Sequence, residues 1–336
     1  MSADERVYET STGADADLLL EAPEGTTDPY LWLEDIKGEA ALDWVRQHNE
    51  PALAELSDEQ FEQMRREVLE IAQCDTRIPA VSRRGEYLYN FWTDADHLHG
   101  LWRRTTLEQY LTAAPQWDVL IDVDALGAAD GESWVWAAPV VIRPEYTRAL
   151  IRLSRGGSDA TVVREFDLST RQFVADGFTL PEGKHIICWE DANTVLVGTD
   201  FGEGSLTTSG YPRLVKRWRR GQPIEAAELV YSGSVTDVSV GAGVDRTPGF
   251  ERTFVTRSID SYNSQDYELR TGKLTRIETP SDAVSLVHRQ WLLIWLRTGW
   301  HTAGVDYRAG SLLAADYKEF LAGTAQLKVV FEPDAH

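Results

Sequence analysis

Cysteine is scarce in this chain of 336 residues, which contains only Cys74 and Cys188. Two cysteines cannot form the disulfide framework of a small secreted domain, and free thiols are typical of reducing compartments. The N-terminus lacks a basic segment followed by a long apolar run, which is the pattern of a signal peptide. The longest apolar run, Trp291 to Leu296, is far too short to span a bilayer. These absences predict a cytoplasmic protein with no membrane partner.

Positive charge is also in deficit, because 33 Lys and Arg residues face 54 Asp and Glu residues, giving a net charge of -21. Most of such a surface repels polyanions, so we predict no nucleic-acid partner. One basic cluster stands out against this background. A solvated strand edge is the usual interpretation of such a cluster, and a phosphate site is the alternative. The cluster consists of Arg213, Lys216, Arg217, Arg219 and Arg220.

Motifs that would identify a catalytic site are missing. No serine lies in the G-x-S-x-G pattern of a nucleophile elbow, and there is no P-loop or G-x-G-x-x-G motif. The nearest approach, Gly156 to Ala160, lies between two β-patterned runs and is interpreted as a hairpin turn. We therefore predict no catalytic residue and no cofactor.

Histidines offer a weak alternative in the form of a metal site. His97 and His99 alternate along TDADHLHG, close to Asp94 and Asp96, and could chelate a metal from one face of a strand. No third ligand has the spacing usual for zinc, so an exposed polar loop is the favoured interpretation and no metal is predicted. Three more histidines are isolated in the sequence and are interpreted as packed or surface residues: His185, His288 and His301.

Composition divides the chain into three regions. Residues 1–27 are acidic and rich in small residues, which predicts a flexible tail. Residues 28–74 predict a helical arm that begins with the aromatic segment DPYLWLED. Its first helix is predicted over Glu39 to Asn49 and is expected to end at Pro51.

A second helix of the arm is predicted to start at Ser57, which is spaced from Gln60 as in a capping box. Apolar residues then recur every three or four positions. Such a stripe is typical of core packing rather than of a cofactor site. Its members are Phe61, Met64, Val68 and Ile71.

From about residue 75 onward the helical period gives way to short alternating runs, which predict an all-β region. The turns DLSTRQ, RRGQPI and RTGKLT recur at intervals of roughly fifty residues, close to the length of a four-stranded propeller blade. The predicted blades span 75–130, 131–180, 181–232, 233–280 and 281–333.

The stretch Val195 to Gly221 contains the most conspicuous loop, which is rich in Gly, Ser and Thr and lies between two β-patterned runs. It is longer than a hairpin requires, and long loops on a rigid sheet often carry function.

The chain resembles the prolyl oligopeptidases in five segments that occur in the family's order. The resemblance covers nearly everything after residue 27 and identifies the fold as mainly β: a partial propeller of about five four-stranded blades, occupying 75–336, after a two-helix arm. The five segments are DPYLWLED with ALDWVRQHNE, LWRRTTLEQYL, LSRGGSDATVVREFDLSTRQFV, GTDFGEGSLTTSGYPRLVKRWRRG and SLLAADYKEFLAGTAQLKVVFEP.

The resemblance implies a function as well. Members of the family have a seven-bladed propeller that admits short peptides to an α/β-hydrolase domain with a Ser, Asp and His triad. The sequence stops at His336, within the part that resembles the propeller. We therefore expect a truncated, non-catalytic propeller portion of a serine peptidase that is inactive alone.

Two other classes of protein are weighed against this expectation. A stand-alone propeller could act as a protein-binding module. A five-bladed glycan-processing propeller would need carboxylates on its inner strands, and the innermost candidates, WVWAAPVV and VTDVSV, are mostly apolar or small.

An incomplete propeller also implies partners, because an arc of blades leaves its terminal faces and edges open. We expect either a separate hydrolase-domain polypeptide or self-association. By resemblance, loops near Val195 to Gly221 face the cavity and the hydrolase domain. The predicted substrate-side or interdomain residues are Phe201, Thr207, Thr208 and Tyr211, and the alternative is a well-packed excursion at a blade edge.

Overall fold

A computed structural model describes residues 28–334, and the chain divides into two compact units between Ala72 and Gln73. The predicted flexible tail, 1–27, lies outside the described residues. None of the helices in the described part of the chain is both long and apolar enough to cross a membrane. The arm contains the 3-10 turn Leu31–Glu34, α1 (Glu39–Leu56) and α2 (Glu59–Gln73).

Both helices of the arm differ from their predicted limits. The predicted stop at Pro51 is wrong, because α1 continues to Leu56. A proline removes only one backbone donor, and the Ala, Leu and Glu residues that follow are strong helix formers. The predicted capping box is also wrong, since the backbone N–H of Phe61 donates to Asp58 Oδ1 at 2.7 Å. Asp58 therefore caps α2, while Ser57 ends α1 by donating its N–H to the Leu53 carbonyl.

The apolar stripe of α2 forms as a helical face, but the prediction that it packs in a core is wrong for this unit. Its four side chains are between 46% and 70% exposed. The physical reason is size, because two helices and one turn offer too little surface to cover the stripe. Among the described residues of the arm, only Ala41 is a buried hydrophobic residue.

The second unit confirms the predicted succession of β-sheets. Antiparallel sheets follow one another along the chain, and each of the first two is built from consecutive strands. Sheet 1 consists of β1 (Ser82–Arg84), β2 (Tyr87–Trp92), β3 (Leu101–Thr106) and β4 (Asp118–Asp122). Sheet 2 consists of β5 (Trp134–Val141), β6 (Arg148–Arg155), β7 (Thr161–Asp167), β8 (Gln172–Phe173) and β9 (Thr179–Gly183), of which both β8 and β9 pair with β7.

The remaining sheets have four strands each, and the last includes a hairpin insertion. Sheet 3 consists of β10 (Ile186–Asp191), β11 (Thr194–Gly198), β12 (Leu214–Arg219) and β13 (Glu228–Ser232). Sheet 4 consists of β14 (Ser239–Asp245), β15 (Arg252–Ser258), β16 (Ser264–Arg270) and β17 (Lys273–Arg276). Sheet 5 consists of β18 (Val284–His288), β19 (Trp291–Trp295), β22 (Leu312–Asp316) and β23 (Lys328–Phe331), with the hairpin of β20 (Trp300–Thr302) and β21 (Val305–Tyr307) between β19 and β22.

The sheets are arranged as propeller blades. The turns DLSTRQ, RRGQPI and RTGKLT join the third strand to the fourth in sheets 2, 3 and 4. The first strands of neighbouring sheets contact each other, as β5 does with β10 and β10 with β14. We call this set of adjacent first strands the line of first strands. Within each sheet, later strands lie progressively further from it.

The hydrophobic core is divided into layers between neighbouring sheets. Tyr89 and Trp102 of sheet 1 pack with Phe166 of sheet 2 in the first layer. Further layers lie between sheets 2 and 3, 3 and 4, and 4 and 5. Full burial of one large apolar side chain contributes about 1.5–3 kcal/mol, so each layer joins its two sheets strongly.

Three short helices interrupt the β region, so the prediction of a purely β region is wrong at these positions. They are α3 (Leu107–Tyr110), α4 (Val123–Asp130) and α5 (Tyr317–Leu321). Each begins after a residue whose side chain accepts a backbone N–H of the first turn. Those capping residues are Thr106, Asp122 and Asp316.

Gly127 lies inside α4, and packing decides whether its replacement by alanine raises or lowers the stability of the second unit. Replacement of a helical glycine by alanine normally stabilises, by about 1 kcal/mol. At Gly127, however, an added Cβ would lie 2.7 Å from the backbone oxygen of Glu132. We expect Gly127→Ala to destabilise the second unit by about 1–3 kcal/mol, measured by urea unfolding. Gly243→Ala is the control because its Cβ meets nothing within 4 Å; equal midpoints for the two variants would contradict the packing argument.

Candidate functional site

The loop 199–213 between β11 and β12 lies at one defined end of the sheets. Neighbouring strands of each sheet run antiparallel, so the loop that joins its second strand to its third lies at one end of the sheet. The connection from the last strand to the next sheet lies at that same end. We call this the loop end, and it includes the turn 156–160 and the connections 184–185 and 233–238. The opposite end, where first strands finish, is called the turn end.

Internal hydrogen bonds order the loop. The Ser205 hydroxyl donates to the Gly202 carbonyl at 2.6 Å and accepts the N–H of Phe201 at 2.9 Å. Arg213 Nε donates to the Gly204 carbonyl at 2.6 Å, and Leu206 forms a β-bridge with Pro212. The loop is therefore a folded structure rather than an open excursion.

Two of the four predicted site residues point into the fold. The Phe201 ring packs against the core layer between sheets 2 and 3, and Lys216 Nζ lies 4.0 Å from its centroid. Thr207 is buried, and its hydroxyl donates to the Val238 carbonyl at 3.2 Å. Both side chains have structural contacts, which favour the interpretation of a well-packed excursion.

The other two predicted residues lie nearer the surface. Thr208 is exposed, and within residues 28–334 only its backbone N–H is hydrogen-bonded, to the Val235 carbonyl at 2.8 Å. The Tyr211 hydroxyl donates to Asp159 Oδ2 at 3.1 Å, and Lys184 Nζ lies 4.1 Å from the centre of its ring. Lys184 also forms an ion pair with Asp159 at 3.0 Å. Tyr211 is thus part of a polar cluster built from three connections, and a substrate-side role for it and Thr208 stays a prediction.

His185, which appears isolated in the sequence, sits beside this cluster. Its Nδ1 is 2.8 Å from the Thr199 hydroxyl, and its Nε2 is 2.7 Å from the Pro181 carbonyl, which can only accept. Nε2 therefore carries a proton, and burial of the ring favours its neutral form. Burial lowers the pKa of His185, and the nearby positive charge of Arg152 lowers it further. Sequence spacing gives no signal for this site, because Pro181 belongs to β9 whereas Thr199 begins the loop after β11.

A pH-dependent loss of stability follows from this neutral imidazole. The unfolded chain protonates His185 near its ordinary pKa of about 6.5, whereas the folded chain does so only at lower pH. Between these two values the unfolded state binds more protons, so stability falls as the pH falls below about 6.5. We expect His185→Gln to have a smaller loss of stability between about pH 7 and pH 5 than the wild type. Urea midpoints across that range measure the difference, and parallel pH profiles would contradict the assignment.

The histidines considered for a metal site pair separately with aspartates. His97 Nδ1 lies 2.9 Å from Asp94 Oδ1, and His99 Nδ1 lies 2.6 Å from Asp124 Oδ1. The hydrogen bond to Asp94 raises the pKa of His97. Within residues 28–334, no group of three or more His, Cys, Asp or Glu side chains is placed to hold a metal ion.

The basic cluster on β12 and its turn is largely neutralised by its surroundings. Arg219 pairs with Glu228 at 2.7 Å on the exposed strand edge. Arg217 binds both carboxylate oxygens of Glu190, at 2.5 and 2.6 Å. Arg220 binds both carboxylate oxygens of the buried Glu165 at 2.9 Å. These ion pairs neutralise three of the five basic residues, while Arg213 donates to the Gly204 and Gly233 carbonyls and Lys216 lies over the Phe201 ring.

The segment Gly156 to Ala160 is a hairpin turn between β6 and β7, as predicted. Both glycines have positive φ values, and the Ser158 hydroxyl donates to the Ala160 carbonyl at 3.2 Å. No hydrogen bond joins Ser158 to a histidine in the described part of the chain. The turn thus lacks the geometry of a nucleophile.

Comparison with known proteins gives a consistent result. The family model described as "Prolyl oligopeptidase, N-terminal beta-propeller domain" matches residues 11–289. An uncharacterized peptidase of Sinorhizobium fredii is 37% identical over 328 residues, which cover 94% of this chain and 45% of that protein. An uncharacterized peptidase of Rickettsia prowazekii is 30% identical, over 90% of this chain and 44% of that protein.

A solved structure of a related enzyme is also similar to this chain over about half of its own length. The post-proline cleaving enzyme from Rickettsia typhi matches with a TM-score of 0.82 and 30% identity, over 90% of this chain and 47% of that chain. The chain therefore spans about 45% of the length of the curated relatives it matches.

Proposed function

Because this chain belongs to the prolyl oligopeptidase family and matches its N-terminal propeller domain, we propose that it is the propeller portion of a serine peptidase. In this proposal it does not cleave peptides itself. It restricts access of short peptides to a hydrolase domain that carries the catalytic residues. The proposal assigns the loop end, with Thr208 and Tyr211, to the hydrolase side.

The arrangement of first strands is the observation that carries this proposal. The first strands of sheets 2, 3 and 4 lie side by side, and the core layers between sheets make the assembly rigid. In this proposal the arc of sheets forms part of a ring that excludes molecules by size, because a rigid opening cannot widen without breaking a core layer. Size exclusion is the property that a filter for short peptides requires.

One face of sheet 5 supports the proposal of a polypeptide partner. Directly paired residues on all four strands form an apolar row, in which Val284, Trp295 and Phe331 are 50%, 60% and 58% exposed. Leu312 completes the row between Trp295 and Phe331. Exposure of such a row to water is unfavourable. We therefore propose that a second polypeptide or another copy of the chain binds to it.

The same apolar row also favours a second candidate function, that of a stand-alone propeller acting as a protein-binding module. The two candidates differ in what the bound polypeptide does. A hydrolase polypeptide would gain size selectivity from this chain, whereas an unrelated partner would show no peptidase activity.

The test combines this chain with the part of the Sinorhizobium fredii peptidase that lies outside the matched region. Cleavage of a short and a long proline-containing peptide is measured for each polypeptide alone and for the mixture. We expect no cleavage by this chain alone, and a higher ratio of short to long peptide cleavage in the mixture. Cleavage by this chain alone, or an unchanged ratio in a mixture that forms a complex, would overturn the proposal.

A further inference from the structure

A small cavity lies at the turn end, where the first strands of four sheets finish. Its volume is about 280 Å³, and its lining comes from sheets 1 to 4 and the turns that follow their first strands. Arg84 ends β1, Arg143 follows β5 and Arg246 follows β14. Three arginines from three different sheets thus meet at one concave site.

The charge at this cavity is unbalanced. Its nine lining residues include the three arginines and no carboxylate. None of the three arginines forms an ion pair with a carboxylate of residues 28–334, although the chain carries a net charge of -21. The carboxylate of the neighbouring Glu190 is already bound at both oxygens by Arg217. Convergent like charges are unfavourable unless an anion lies between them.

Contacts within the protein hold two of the arginines in position. The Arg84 guanidinium lies 5.0 Å from the centre of the Tyr89 ring. Arg246 Nη2 donates to the Glu190 carbonyl and, at 3.4 Å, to the Trp189 carbonyl. Burial lowers the pKa of Arg84, and the positive charge of Arg143, which lines the same cavity, lowers it further. Each guanidinium keeps N–H donors that the protein does not use.

The rest of the lining is uncharged and mostly apolar. Val141, Val244 and the Trp189 indole contribute to it, and the indole N–H is already bound to the Val140 carbonyl at 2.8 Å. A fully hydrated anion such as phosphate gains nothing from such walls. A carboxylate attached to a small apolar group satisfies both parts of the lining, because the guanidinium fork matches carboxylate geometry.

We propose that this cavity at the turn end is a binding site for a carboxylate that carries a small apolar group. Arg84, Arg143 and Arg246 bind the carboxylate, and the apolar walls contact the attached group. The site lies at the end opposite Tyr211, and the proposal does not depend on any peptidase activity. Two sources share this chemistry: a free aliphatic acid and the C-terminal residue of a peptide.

Isothermal titration calorimetry of the full chain tests the site with matched ligands. N-acetylleucine is expected to bind, and N-acetylleucinamide, which lacks only the negative charge, is expected to bind at least tenfold more weakly. Isovalerate and an N-acetylated tripeptide ending in leucine compare the two sources. If the tripeptide binds more tightly, the ligand of the cavity is the C-terminal residue of a peptide. If isovalerate binds as tightly or more tightly, the ligand is a free aliphatic acid. Binding of the amide as tight as that of the acid, or of inorganic phosphate as tight as that of N-acetylleucine, would overturn the proposal.

A pair of neighbouring charge variants locates the binding. Arg143 is exposed and has no ion pair within the described residues, so Arg143→Gln removes the charge without disturbing the core. We expect it to weaken N-acetylleucine binding about tenfold. Arg83→Gln is the control, because Arg83 precedes Arg84 on β1, points to the opposite face and does not line the cavity. Equal affinities of Arg143→Gln and the wild type would refute the assignment, and thermal unfolding confirms that each variant is folded.

Discussion

Glu165→Gln is expected to lower the free energy of unfolding of the second unit by about 3–5 kcal/mol. The Glu165 side chain is fully buried and accepts bonds from Arg148 at 3.2 Å and from both terminal nitrogens of Arg220 at 2.9 Å. It also accepts the backbone N–H of Phe178 at 2.8 Å. Replacing the carboxylate with an amide leaves Arg220 without a countercharge at the boundary of sheets 2 and 3, and leaves Arg148 with Asp167 alone, at 3.3 Å.

Urea denaturation followed by tryptophan fluorescence measures this loss. Glu228→Gln is the matched control, because Glu228 pairs with Arg219 through the same chemistry but its side chain is 54% exposed. An exposed pair contributes about 0–1 kcal/mol, so the control should remain near the wild type. If the two variants unfold at the same urea concentration, the buried network does not stabilise the fold as its geometry indicates.

Trp295→Asp is expected to weaken self-association of the chain strongly. Without another polypeptide to cover it, the apolar row of sheet 5 is expected to bring two copies together. Trp295 is the largest member of the row and is 60% exposed. An interface residue of this type commonly contributes about 2 kcal/mol or more, so we expect the association constant to fall at least about thirtyfold.

Sedimentation velocity over a concentration series measures the association. Leu229→Asp is the control, since Leu229 is 61% exposed on β13 and lies outside the row. It places the same negative charge on the same unit and should leave association unchanged. A wild-type chain that stays monomeric throughout the series, or a Leu229→Asp variant that dissociates equally, would contradict this role of sheet 5.

The division into sheets could be predicted from the sequence because the signal is local. Turns such as DLSTRQ join adjacent strands, and their spacing follows the length of one sheet. The pattern within a strand also depends on neighbours in sequence, so the inner-strand candidate WVWAAPVV coincides with β5 (Trp134–Val141). The helix α4 escaped prediction because it is short, although Asp122 and Gly131 mark its two ends.

The candidate sites could not be predicted in the same way, because their members are distant in sequence. Glu165 and Arg220 meet only after sheets 2 and 3 have packed. Burial lowers the pKa of His185, and its ring contacts the Pro181 carbonyl and the Thr199 hydroxyl, neither of which a motif would connect to it. Arg84, Arg143 and Arg246 belong to sheets 1, 2 and 4 and converge only through the line of first strands. Residue type alone does not distinguish such arginines from those on the surface.

The order of strands has a consequence for synthesis on the ribosome. Each of the five sheets uses one continuous stretch of chain, so its strands can pair without waiting for later sequence. At about 5–20 residues per second, successive sheets emerge several seconds apart, which is long compared with hairpin formation. Each new sheet then finds the apolar face of the previous one already formed and covers it. The molecule can therefore assemble vectorially, from sheet 1 to sheet 5, with only one uncovered face at the growing end.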